Sequence, residues 1–187
     1  GAKKKYALIN WDGKMKIRGF ETVRRDWCAL ARKVQNKVLQ QVLDEGKYEN
    51  ALEYVQSIIK DLQKKKIDKK ELIIKTQLKK PISEYESEVP HVAIARKMQE
   101  QGLPVNVGML IEYFVAEPAL GKGGKKSKAR VRDRARLPDE EGDYDTEYYI
   151  KNQIMPAVEN IFEVFGLDEK EILGEVEEQK KLEQFFG

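Results

Sequence analysis

Metal and disulfide chemistry have almost nothing to work with in this chain, which holds one cysteine, Cys28, and one histidine, His91, among 187 residues. A lone cysteine excludes an internal disulfide, and no H-x-x-x-H or C-x-x-C spacing exists to hold a metal ion. Trp27, Ala29 and Leu30 flank Cys28 and mark it as a small buried hydrophobe rather than a nucleophile. No run approaches the roughly 18 apolar residues that a membrane span needs, and no apolar segment follows the N-terminal lysines to make a leader. These absences predict a soluble, cytoplasmic protein. A phosphate-loop reading of Gly121-Lys122-Gly123-Gly124-Lys125-Lys126-Ser127 fails as well, because Lys126 stands where G-x-x-x-x-G-K must be followed by Ser or Thr. Carboxylates are plentiful, but no spacing singles out a pair for acid–base work, so no catalytic residue is assigned.

What the chain has is charge, and the charge is segregated. Charged residues make up 36% of the sequence and leave a net of only +3. Residues 1–37 carry eleven Lys/Arg against three Asp/Glu, and residues 117–136 carry eight against two. Residues 137–187 reverse the balance with four basic and fifteen acidic residues, while 38–116 hold twelve of each. Two basic blocks and one acidic tail predict a face for a polyanion and a segment kept away from it.

Hydropathy periods predict a mixed fold. Lys5–Ile9 and Lys14–Arg18 have strand composition on either side of the turn dipeptide Asp12-Gly13, which makes a hairpin. From Asp26 onward Trp27, Leu30, Ala31, Val34, Val38 and Val42 recur at helical steps, with Gly46 as the stop. Leu52, Val55, Ile58, Ile59 and Leu62 mark a second helix ending near Lys64-Lys65-Lys66, where cations favour a helix C-terminus. Leu72-Ile73-Ile74 reads as a short strand, Pro90 opens a helix through Met98, and Met109–Ala116 suits a central strand. Residues 117–143 have almost no large apolar side chains and read as a mobile loop insertion. Tyr148, Tyr149, Ile154, Val158, Ile161, Phe162 and Phe165 then predict a helix from near Asp145 to Gly166.

Four groups suit contact with nucleic-acid phosphates. Lys4, Lys5 and Tyr6 set cations and a phenol along a strand. Arg24 and Arg25 precede a helix that Asp26 can cap and Trp27 can anchor. Lys75, Lys79 and Lys80 surround a strand and loop, and residues 122–136 add further cations. His91, after a proline at a helix start, reads equally as a structural histidine or a phosphate contact. Together these fit sequence-independent duplex binding, in which phosphate contacts position rather than specify. At the C-terminus, Gln179, Leu182, Phe185 and Phe186 stand in the spacing Q-x-x-L-x-x-F-F. That spacing resembles the peptide by which replication proteins dock onto a sliding clamp: one helical turn gathers the three apolar side chains as a plug beside Gln179.

Longer motifs point the same way. Lys4-Lys5-Tyr6-Ala7 contains a Lys-x-Tyr motif, and Arg18-Gly19-Phe20-Glu21-Thr22-Val23-Arg24-Arg25-Asp26-Trp27 follows it. Pro90-His91-Val92-Ala93-Ile94-Ala95 and the stretch from Tyr144-Asp145-Thr146-Glu147-Tyr148-Tyr149 to Met155-Pro156-Ala157-Val158 come next, in order. Across nearly its whole length the chain resembles the C-terminal part of an archaeal family B DNA polymerase, from the last palm strands through the thumb. The resemblance implies an α+β fold: a hairpin at 1–20 completing a palm sheet, a mostly helical thumb at 21–165, and an acidic tail at 166–187 with the clamp peptide. It implies that Lys4 and Tyr6 touch the primer–template minor groove, that Arg24 and Arg25 hold the primer strand, and that the surface around Lys79 and His91 grips duplex product.

The departures from that family limit the expected chemistry. The Tyr-x-Asp-Thr-Asp turn with its metal-binding aspartates, the fingers helix and the exonuclease carboxylates are all missing from this sequence, and two-metal phosphoryl transfer needs them. Mg2+ is therefore expected in the assembled polymerase, bound by a partner polypeptide, with no cofactor or metal held here. Lys79 stands where relatives tend to carry a small hydroxyl residue, and the basic stretch near 122–132 is not a general family feature. The expected partners are a large polymerase subunit or the remainder of the polymerase, primer–template DNA and the sliding clamp, in a nucleoid-associated, membrane-free setting. A small subunit of a split polymerase is favoured over an excised fragment. The alternative is an independent DNA-binding clamp adaptor, against which the exposed edges of a lone hairpin argue.

Overall fold

The computed structural model describes residues 26–124 and 129–174, together with the backbone of two short strands at 6–9 and 15–18. The fold is α+β, and the backbone divides into two compact units, one of 1–24, 30–66 and 149–187 and the other of 25–29 and 67–148.

In the first unit β1 (Tyr6–Ile9) and β2 (Met15–Arg18) pair antiparallel, with Tyr6 opposite Arg18 and Ile9 opposite Met15, the hairpin expected around Asp12-Gly13. Helix α1 (Ala29–Glu45) buries Leu30, Ala31, Val34, Val38 and Val42, and α2 (Glu49–Gln63) buries Ala51, Val55, Ile59 and Leu62. These are the stripes that the three- and four-residue spacing predicts. The start of α1 falls later than expected: Trp27 is buried in non-helical chain two residues ahead of it. Helix α2 ends where Lys65 turns left-handed at φ 57° and the Lys66 amide donates to the Asp61 carbonyl at 2.9 Å. A lysine here does what glycine usually does at a helix end.

The rest of this unit's core comes from the C-terminal helical run. In this unit it comprises Tyr149, a π-helical stretch at Ile150–Ile154 and α6 (Met155–Glu163); the rest of α5 (Thr146–Tyr149) belongs to the second unit. Pro156 sits in the first turn of α6 and has no amide proton for the preceding turn, which accounts for the widening just before it. Gly166, at φ 80°, closes the run as its sequence position predicts. Inside the unit, Gln35 Nε2 donates to the Ala157 carbonyl at 3.0 Å and Gln56 Nε2 to the Ile172 carbonyl at 3.2 Å. One amide thus ties α1 to this run and the other ties α2 to the chain beyond Gly166, each satisfying a polar group that would be costly to bury alone.

The second unit is built on an antiparallel sheet of order β3-β4-β5, with β3 at Ile74–Gln77, β4 at Leu110–Val115 and β5 at Ala135–Arg136. Ile74 stands opposite Tyr113 and Thr76 opposite Ile111, so one side of the ladder is apolar and buried; Lys75 opposite Glu112 lies on the other side. Helix α3 (Pro90–Glu100) begins at its proline as expected and buries Val92, Ile94 and Ala95. The strand expected at 72–74 begins at Ile74 instead. Leu72 ends a 3₁₀ turn, Lys69–Leu72, which Asp68 caps by accepting the Lys70 amide at 3.0 Å.

Part of 117–143, expected as a loop insertion, is regular structure. Residues 131–134 form the one-turn helix α4, Ala135–Arg136 form the third strand, and Leu137 is buried. The turn that follows is held by cations: Lys69 Nζ donates to the carbonyls of Glu140 and Gly142 at 3.3 and 3.2 Å, and Lys97 pairs with Glu140 at 2.7 Å. Polar side chains do here what an apolar run does elsewhere. No described helix is long and apolar enough to cross a membrane.

Candidate nucleic-acid interface

Between β3 and α3 the chain makes a tight excursion through Lys79, Lys80, Pro81 and a 3₁₀ turn at Ile82–Glu84, and Tyr85 follows. The Tyr85 hydroxyl accepts the backbone amide of Lys79 at 3.0 Å, which closes the excursion on itself. On the same ring, Lys80 Nζ lies 5.0 Å from the centroid, and the His91 imidazole meets it edge-on with centroids 5.6 Å apart. Tyr85 therefore gathers three of the basic residues that the sequence singles out, Lys79, Lys80 and His91, into one patch. A cation over an aromatic face is held in place without being neutralised, so its charge still faces outward. Both lysines are exposed, which suits contact with an extended polyanion.

His91 occupies the first turn of α3, after Pro90, and the N-cap residue Val89 offers no side-chain cap. Partial burial, with the charge of Lys79 adding to it, holds the imidazole below the usual histidine range. A neutral imidazole at pH 7 can still donate one N–H to a phosphate oxygen. An approaching anion favours the protonated ring and reverses the shift.

Lys75 belongs to a different setting. Its Nζ pairs across the strands with Glu112 at 3.3 Å on the exposed side of the sheet, so a local carboxylate already answers its charge. It is not part of the Tyr85 patch. Lys4, Arg24, Arg25 and the residues expected to dock a clamp, Gln179, Leu182, Phe185 and Phe186, lie outside the described residues, as does the side chain of Tyr6.

Tyr85 itself was not among the sequence candidates. Its signal in the sequence is slight: an aromatic residue five positions after a lysine pair, across a proline.

A second charged arrangement surrounds the return of the chain from the basic stretch. Arg134 pairs with Asp145, both largely buried, and also donates to the Ala116 carbonyl at 3.2 Å. Arg132 donates to the carbonyl of Glu88 at 3.4 Å, close ahead of α3. Arg96, on α3, pairs with Glu88 at 3.0 Å. Among the described residues no group of three or more His, Cys, Asp or Glu side chains is placed to hold a metal ion.

Comparison with known proteins places these features in a family. A sequence model described as DNA polymerase family B matches residues 1–165. The chain is 42% identical over 186 residues to a DNA polymerase of Methanocaldococcus jannaschii, covering 98% of this chain and 11% of that protein. To a DNA polymerase of Pyrococcus glycovorans it is 40% identical over 164 residues, covering 88% of this chain and 20% of the other. Among solved structures, that of the family B DNA polymerase from the hyperthermophilic archaeon Pyrobaculum calidifontis superposes with a TM-score of 0.66 at 32% identity, over 90% of this chain and 21% of that one. The chain thus spans between about a tenth and a fifth of the relatives it matches.

Proposed function

Because the chain belongs to DNA polymerase family B, we propose that it serves DNA replication as the duplex-gripping thumb of such an enzyme, working with the polypeptide that carries the remaining segments. The single observation that carries this reading is the patch in which Tyr85 holds Lys80 over its ring, accepts the Lys79 amide and meets the half-buried His91 at the start of α3. Such a patch reads no base edges. It suits a partner whose phosphates recur at fixed spacing whatever the sequence, as product duplex does.

In this reading the β1–β2 hairpin completes the palm sheet of the rest of the enzyme. Lys4, Tyr6, Arg24 and Arg25 approach the primer terminus, and Gln179, Leu182, Phe185 and Phe186 dock a sliding clamp. Nucleotide transfer, with the Mg2+ ions it needs, is the work of the remaining polypeptide. This chain contributes hold on the product and therefore processivity.

The test is primer extension on a long template, with the chain alone, with a polypeptide carrying the remaining family B segments, and with both mixed. The expected result is no synthesis by this chain alone, short products from the other polypeptide, and longer products from the mixture. Lys79→Glu with Lys80→Glu should remove the lengthening. A mixture whose product lengths match those of the other polypeptide alone overturns the reading.

A further inference from the structure

The connection between α3 and β4 takes no part in the Tyr85 patch, and its composition sets it apart from the rest of the chain. Residues 101–111 hold no Asp, Glu, Lys or Arg, the longest such run in a sequence of which 36% is charged. Single exposed apolar side chains are ordinary on a protein surface and need no explanation. Here they are concentrated. Of the five large apolar side chains exposed among the described residues, Leu103, Val107 and Leu110 belong to this one connection, at 44%, 55% and 56% exposure.

The connection is also held by its backbone. Gly102, left-handed at φ 76°, ends α3, and the Leu103 amide turns back to donate to the Met98 carbonyl at 2.9 Å. Further on, the Met109 amide donates to the Asn106 carbonyl at 3.1 Å and closes a turn around Val107 and Gly108. Three bonds then fasten that turn to the end of β3. The Gly108 amide donates to the Leu78 carbonyl at 2.6 Å, the Leu78 amide to the Met109 carbonyl at 2.9 Å, and Gln77 Nε2 to the Gly108 carbonyl at 3.2 Å. Leu78 is itself buried, so the frame rests on the core of this unit. Val107 and Leu110 are therefore presented to water by a hydrogen-bonded frame and stay there unless another surface covers them.

From this we infer that the α3–β4 connection is a protein-docking surface, with Leu103, Val107 and Leu110 as its apolar contacts, and that its occupant is the polypeptide carrying the remaining family B segments. The identity of the occupant rests on the proposed function. Two observations select it. An uncharged surface gives phosphates no cation to pair with, so an apolar protein face fits here and a nucleic acid does not. The chain also spans only between about a tenth and a fifth of the relatives it matches, so most of the folded surface of a family member is carried by other segments. A frame already fixed loses little freedom when it is covered, which lets a small apolar contact add usefully to association.

The test uses the full chain and the polypeptide carrying the remaining family B segments, with association measured by isothermal titration calorimetry in the absence of DNA. Wild type is compared with Val107→Lys combined with Leu110→Lys, and with the milder Val107→Thr combined with Leu110→Thr, which keeps strand-forming residues should the lysines disturb folding. The lysine variant should bind about tenfold more weakly or worse, and the threonine variant should be weakened in the same direction, both with an unchanged circular-dichroism melt. Duplex affinity of the chain alone should be the same in all three. Equal association by the wild type and both variants overturns this inference and leaves the proposed function standing. Dimerisation of the wild type in sedimentation velocity that the variants abolish, with their association to the other polypeptide intact, assigns the connection to a second copy of this chain and overturns it equally. A wild type that does not associate with the other polypeptide at all sinks both readings.

Discussion

Asp145 answers Arg134 with one carboxylate oxygen and the Tyr148 amide with the other, the second contact at 3.3 Å. One aspartate is therefore both the partner of a nearly buried guanidinium and the cap of the helix that starts at Thr146. Breaking a buried ion pair by removing one member leaves the other charge without water or partner, which typically costs about 3 kcal/mol or more. Arg134→Ala and Asp145→Ala should each lower the urea midpoint substantially. Asp145→Ala should lower it further, because it also removes the cap, worth about 1 kcal/mol. A double variant much less unstable than the sum of the singles would identify the coupling; strict additivity would refute it.

Tyr85 separates two roles that one substitution can divide. Tyr85→Phe keeps the ring for Lys80 and His91 and removes only the hydroxyl that accepts the Lys79 amide, a loss of about 1 kcal/mol. Tyr85→Ala removes the ring as well. Duplex affinity should fall modestly for the phenylalanine and by tenfold or more for the alanine, as read by fluorescence anisotropy at one fixed salt concentration. Equal affinities for the two variants would show that the ring does not organise the patch.

His91 should make both folding and duplex binding sensitive to pH. Its folded value lies below the unfolded one of about 6.5, so the unfolded chain takes up the proton first as pH falls. The stability associated with neutral His91 is whole above that unfolded value. It is lost as pH falls from there to the folded value, and levels off below it. Duplex binding should move the other way, because phosphate favours the imidazolium that burial and Lys79 oppose in the free protein. Urea melts and anisotropy at pH 7.5 and 5.5 should show weaker folding and tighter binding at the lower pH. His91→Gln should flatten both trends. A variant with both trends intact would place the titrating group elsewhere.

The docking peptide is tested by Phe185→Ala combined with Phe186→Ala. Binding to the clamp, measured by surface plasmon resonance, should be lost, with duplex affinity unchanged. Undiminished clamp binding would remove the assignment.

The helices were legible because burial repeats along them: Val34, Val38 and Val42, or Val55, Ile59 and Leu62, announce a stripe by spacing alone. Pro90 and Gly166 marked their ends for reasons of covalent geometry. The second unit hid more. Ala135–Arg136 is too short to show an alternation, and it is a strand because β4 offers an edge and Arg134 is pinned beside it. Leu72 looked like a strand residue, yet Asp68 four positions earlier caps a 3₁₀ turn and decides otherwise. At the candidate interface, charge found Lys79, Lys80 and His91, but only the fold could single out Tyr85, because its contacts run across the excursion to residues five and six positions away. Charge also drew in Lys75, whose cross-strand partner Glu112 lies far off in sequence.

The strand pairing that begins and ends the 117–134 connection makes it tolerant of added length. Ala116 and Glu117 donate to the carbonyls of Arg134 and Asp143 at 2.9 Å each, so the connection springs from two fixed points of the sheet. Once the ends of a loop are held, doubling its length costs only about 0.6 kcal/mol. At Gly123 and Gly124 an added Cβ would meet nothing within 4 Å. The connection is therefore a port at which an affinity handle or reporter peptide can be spliced into the chain with little cost to the scaffold.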